Sequence, residues 1–128
     1  MNHKARVVTL LNELRKKYDI KDEFNVRIIQ KEHKRRPSPF IEIVYAGKVP
    51  TIYIFVNNSW YRFEKQSNNY IKRSLAHEIV HFLCYKSLKE TNPKNLIKTL
   101  KLIDSIIDLK KYNLPYKKKK NCPTIHSP

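Results

Sequence analysis

His77, Glu78 and His81 are the residues of this chain whose types and spacing could do chemistry. Positions four apart stack on one face of an α-helix, so two imidazoles at that spacing can close on a single metal ion. Glu78, next to the first histidine, then stands beside the ion's open position, where a carboxylate can take a proton from water. The chain's histidine and glutamate content would give this spacing by accident in about one such chain in a hundred. The pattern therefore predicts a metal site with a general base. The alternative is a pair of hydrogen-bonded histidines packed between this helix and its neighbour.

A helix has to carry these side chains. Ser67 or Asn68 is expected to cap one that runs through His81 to about Ser87. On its wheel Ile71, Leu75, Ile79 and Phe82 form one apolar stripe, expected to pack on a sheet. Tyr70, Ser74, His77, His81, Cys84 and Leu88 fall on roughly the opposite side, facing a cleft or the following helix.

A hydrolytic zinc ion takes three protein ligands and leaves the fourth position to water. Asn92 followed by Pro93 reads as a cap and a first-turn proline, opening a helix to about Tyr112. Leu96, Leu100, Ile103 and Ile107 would be its buried stripe, with Asp104 at the edge and Asp108 toward the lysine-bearing side. A carboxylate among apolar residues needs a partner, and zinc is a sufficient one. The plain alternative pairs both aspartates with Lys101 or Lys111. Asp104 is the preferred third ligand and Asp108 the next, with Glu90 and His126 behind them. Cys84 would be a third donor on one straight helix, a poor tetrahedral geometry, and reads as a buried thiol.

Upstream, Val7, Val8, Leu10, Leu11, Leu14 and Tyr18 recur at helical spacing within His3–Tyr18. Alternation over Phe24–Gln30 suggests a strand. Phe40–Tyr45 and Thr51–Val56 are β-branched and aromatic around a turn that holds the only glycine, Gly47, which predicts a hairpin. The basic run from Glu32 to Pro39 reads as a loop. Trp60, Tyr61 and Phe63 either cover the core or rim a groove. The fold class is α+β: an N-terminal helix, a small, mostly antiparallel sheet of three or more strands, the helix bearing the histidines packed on it, and a further helix. Residues 1–112 form the expected domain and 113–128 a mobile basic tail.

At 128 residues the chain can bury a core without disulfides, and 41% hydrophobic residues argue against wholesale disorder. Two cysteines, one inside a helix and one in the tail, fit a reducing interior. Neither a secretory signal nor an apolar run long enough to cross a bilayer is visible, so a soluble cytoplasmic protein away from membranes is expected. The formal net charge of +16 attracts polyanions. Lys34, Arg35 and Arg36, and Lys117, Lys118, Lys119 and Lys120, are the candidate contacts to DNA or another nucleic acid. The same charge is also what an AT-rich genome would produce through lysine-rich composition.

The order of helix, strands, hairpin and a helix carrying Leu75-Ala76-His77-Glu78-Ile79-Val80-His81 resembles the N-terminal subdomain of zincin metallopeptidases. In size it is similar to minimal gluzincins and to the intracellular SprT-like and ImmA/IrrE-like peptidases. The resemblance spans roughly residues 1–112, with specificity in the five-residue motif. It implies a zinc endopeptidase in which Glu78 activates water and returns a proton to the leaving amine, with Tyr85 or Tyr112 as a helper. It also implies that Thr51, Tyr53, Phe55 and Asn57 lie on a rim strand that pairs with an extended protein or peptide substrate. By the same likeness that substrate is an intracellular protein, either DNA-associated or a repressor.

Three departures stand beside it. SprT-like proteins supply a downstream histidine, and none lies between His81 and His126. Val80 stands where ImmA/IrrE-like proteins usually carry glycine, and aspartates stand where gluzincins use glutamate. The rival readings are a basic nucleic-acid-binding protein and an inactive accessory protein of zincin fold. Oligomeric state is left open.

Overall fold

Asn2 opens the first helix, α1 (His3–Tyr18), because its side-chain oxygen accepts from the backbone N–H groups of Lys4 and Ala5 at 2.8 and 3.3 Å. Those donors have no partner within the helix, and a short polar side chain at this position satisfies them. Arg15, Lys16 and Lys17 occupy the last turn, where the helix dipole favours positive charge. Asp19 ends it in the left-handed region at φ 55°, returning its N–H to the Arg15 carbonyl.

The structure is a computed structural model that describes residues 2–31, 41–45, 47–57 and 62–106. The basic loop from Glu32 and the tail from Tyr116 lie outside the described residues. The chain divides between Leu75 and Ala76 into two compact units.

The first unit holds α1, a three-stranded sheet, a single 3-10 turn at Phe63–Lys65 and the start of α2 (Asn68–Lys89). Its strands are β1 (Asn25–Ile29), β2 (Ile41–Val44) and β3 (Thr51–Phe55), in the order β1-β3-β2. β2 and β3 run antiparallel, as the hairpin reading anticipates, with Ile41 opposite Ile54 and Val44 opposite Thr51. Gly47, at φ 81°, supplies the left-handed backbone that the connection needs. β1 joins the other side of β3 in parallel, from Asn25 opposite Thr51 to Ile29 opposite Phe55. The sheet is therefore mixed, with β3 at its centre.

Alternation along the strands sorts the sheet's faces. Val26, Ile41, Ile43, Ile52 and Ile54 are buried on one side, and α1, which packs against β1, buries Val7, Leu10, Leu11 and Leu14. Each such side chain contributes roughly 1.5–3 kcal/mol by leaving water. Phe63, with no exposure, belongs to the core rather than to a groove rim. Arg6 braces it: its guanidinium lies 5.1 Å from the Phe63 ring centre and donates to the Phe63 and Gln66 carbonyls and to Asn68 Oδ1. Trp60 and Tyr61 lie outside the described residues.

The second unit holds α2 from Ala76 onward and α3 (Pro93–Ile106). Both helix starts follow the capping chemistry read from the sequence. Ser67 Oγ accepts from the Tyr70 N–H at 3.1 Å, and Asn92 Oδ1 accepts from those of Lys94 and Asn95 at 2.9 and 3.4 Å, just ahead of Pro93. No described helix is long and apolar enough to cross a membrane.

Candidate metal centre

α2 is buried almost all the way round in its middle turns. Leu75, Ala76, Ile79, Val80, Leu83 and Cys84 are each at most 2% exposed, and Glu78 and His81 are only 4% and 3% exposed among them. Leu75 and Ile79 carry the expected stripe, whereas Phe82 is only half-buried. On the opposite side His81 and Cys84 are buried, His77 is half-buried, and Leu88 is exposed. The wheel separates two faces, and the structure buries both.

Helical stacking brings the two imidazoles together. His77 Nε2 and His81 Nε2 are 2.9 Å apart, with ring centres 4.6 Å apart and planes 77° from one another. One donor atom from each imidazole and from the Glu78 carboxylate lies within 4.8 Å of the others, a group that could hold a metal ion. Two imidazoles and a carboxylate are donors of the kind that can hold a divalent metal ion. At the 2.9 Å separation one Nε2 can donate a proton to the other, and a bound ion would take that proton's place.

The other expected ligands are placed differently. Asp104 is exposed on α3 and lies outside the His77-Glu78-His81 group. The reason is the rotation of the helix: α3 buries Thr99, Ile103 and Ile106, not a face centred on Leu96 and Leu100, so Asp104 turns toward solvent. Ile97 accordingly is 52% exposed. Glu90 accepts from the N–H groups of Thr91 and Asn92 at 3.1 and 3.3 Å, a local turn between the helices. Asp108, Tyr112 and His126 lie outside the described residues. Tyr85, the other expected helper, accepts a hydrogen bond from Lys89 Nζ, which also lies over its ring.

The expected substrate strand requires a correction. β3 is the central strand, and both of its edges are already paired over Thr51–Phe55. An extended peptide cannot add to a strand whose N–H and C=O groups are spent on two neighbours. Thr51, Tyr53 and Phe55 are half-buried, and Tyr53 lies between Arg27 and Glu42 in register. Asn57 donates from Nδ2 to the backbone carbonyl and side-chain oxygen of Gln30, both at 3.0 Å, which closes the end of the sheet. The basic residues Lys34, Arg35, Arg36 and Lys117–Lys120 lie outside the described residues.

Several buried polar residues went unforeseen, Ser87 and Thr99 on the helices and Glu42 in the sheet. Glu42, on β2, is 8% exposed, in a position that alternation treats as an ordinary outward one. Comparison with models of protein families, with curated proteins and with solved structures gives no match.

Proposed function

We propose that this chain is a zinc-dependent metallopeptidase of the zincin kind, with His77 and His81 as zinc ligands and Glu78 as general base. The observation that carries this reading is the convergence of the two imidazole nitrogens at 2.9 Å beside a carboxylate that is almost fully buried. Burying polar groups along an otherwise apolar helix costs stability unless they are engaged. A helix serving only to pack would carry aliphatic residues at positions 78 and 81, as it does at Ile79, Val80 and Leu83.

The residues divide the work by chemistry. His77 and His81 hold the ion through their Nε2 atoms, which must be free of protons to do so. Bound there, zinc supplies a Lewis acid for the scissile carbonyl and a source of nucleophilic water near neutral pH. Glu78 takes the proton from the attacking water and passes it to the amine that leaves, so one carboxylate serves as base and then acid. Burial of Glu78 keeps bulk water from competing for that proton. A third protein ligand is required by zinc chemistry. Asp104, exposed and outside the group, is a weak claimant, while Asp108 remains a candidate by sequence.

The test is Glu78→Gln beside the wild type. The reading expects zinc to stay bound and hydrolysis of an unfolded protein substrate to fall to background. Equal turnover in both proteins would overturn it.

A further inference from the structure

β1 has one edge that the sheet does not use. The Asn25 N–H donates to the Pro50 carbonyl and the Ile29 carbonyl accepts from the Val56 N–H, so Asn25, Arg27 and Ile29 turn their backbone groups toward β3. Alternation then turns the N–H and C=O of Val26 and Ile28 the other way. β1 stands first in the order β1-β3-β2, and among the described residues no hydrogen bond reaches those outward groups.

An open edge is a template for another strand, and proteins commonly blunt it with a proline, a bulge or a charge. Asn25–Ile29 contains no proline, and its register with β3 is unbroken. Its single charge is turned back: Arg27 Cζ lies 6.0 Å from the centre of the Tyr53 ring on β3. Nothing within β1 guards its edge.

We infer that β1 pairs antiparallel with β1 of a second copy of this chain, about a two-fold axis at Arg27, joining two three-stranded sheets into one. The segment is complementary to its own reverse. Val26 then faces Ile28 of the partner copy, and each such pair exchanges both of its outward bonds. Both side chains are apolar, and Ile28, only half-buried in one copy, gains cover. Two residues beyond either end of the strand, Glu23 of one copy stands opposite Lys31 of the other, twice by symmetry. Both are exposed, and neither makes an ion pair among the described residues. The two Arg27 residues meet at the axis, where like charges oppose pairing. Their lean over Tyr53 carries the guanidinium groups apart. A second copy suits this edge better than an unrelated extended peptide, because every match comes from one sequence read in both directions. The pairing lies within the first unit and does not depend on the metal reading.

The experiment is sedimentation of the full chain from about 10 to 500 µM in about 0.15 M salt, which screens the net charge beyond about 8 Å. Wild type should form dimers, half-populated on the order of 100 µM, as suits an interface of few residues. Glu23→Lys and Lys31→Glu, both at exposed positions, change the net charge in opposite directions. Each should nevertheless weaken the dimer on the order of tenfold, because each sets like charges opposite one another twice. Mixing the two variants should restore association, since each chain then meets its complement. Circular dichroism checks that both keep the wild-type fold. Hydrogen exchange at the Val26 and Ile28 amides should slow as concentration rises, while that of Arg27 and Ile29 stays constant. A wild type that is monomeric at about 500 µM would overturn the inference. So would a Lys31→Glu variant that associates as well as wild type, or a mixture no tighter than its components. Val26 and Ile28 amides equally protected at every concentration, as by a segment of the same chain, would overturn it too.

Discussion

His81 Nε2 lies 2.9 Å from His77 Nε2, one helical turn away, so the two rings present their outer nitrogens to a common point. Helix geometry alone brings such residues to neighbouring positions. The rotamers that bring the two rings together are a property of this structure, in which His81 is only 3% exposed.

Removing the Glu78 carboxylate while keeping its shape separates binding from chemistry. Glu78→Gln should hold wild-type zinc, measured by metal analysis. Its hydrolytic rate should fall by about 10²–10⁴, the usual range for loss of a general base.

Asp104→Asn tests where the third ligand is not. Because the carboxylate is exposed and outside the histidine group, the variant should keep its zinc through dialysis and its melting temperature within about 0.5 kcal/mol equivalent of wild type. Zinc loss in this variant alone would return Asp104 to the site.

The sequence carried the elements further than their arrangement. The helix at His3–Tyr18, the start at Pro93 and the strand at Thr51 are all found where periodicity and capping residues put them. These signals are local: an apolar period, a short polar cap, a glycine in a turn. The order β1-β3-β2 is not local. Alternation says which face of Thr51–Phe55 is buried but not which strands flank it. A rim strand and a central strand therefore look alike in Thr51, Tyr53 and Phe55. The same limit explains Asp104. Leu96, Leu100 and Ile103 define a stripe on paper, but Thr99 and Ile106 share the buried face, and that small rotation moves an edge residue into solvent. At the candidate metal site the His77-Glu78-His81 spacing was legible because one helix carries all three.

Phe63 and Arg6 should be sensitive sites far from the histidines in sequence. Phe63 has no exposed surface, so Phe63→Ala should cost about 3–5 kcal/mol. Arg6→Ala removes donors to Asn68, Phe63 and Gln66 and should cost about 1–3 kcal/mol. Urea unfolding gives both values, and an unchanged midpoint in either variant would contradict the packing described.

Metal should also act on stability. An ion bound only by the folded chain adds about 2.7 kcal/mol when present at a hundred times its dissociation constant. Zinc should therefore raise the melting temperature and a chelator lower it. Protons compete for the same imidazole nitrogens, so the increment should be present at neutral pH and disappear as the solution is acidified. In His77→Ala/His81→Ala zinc should leave the melting temperature unchanged.

The most direct measurement is the zinc content of the purified full-length protein, wild type beside His77→Ala and His81→Ala. One ion per chain in the wild type, and none in either variant with the helical signal retained, is the predicted result. A wild-type protein that takes up no zinc, or a His81→Ala variant that binds it as well, would contradict the metal centre.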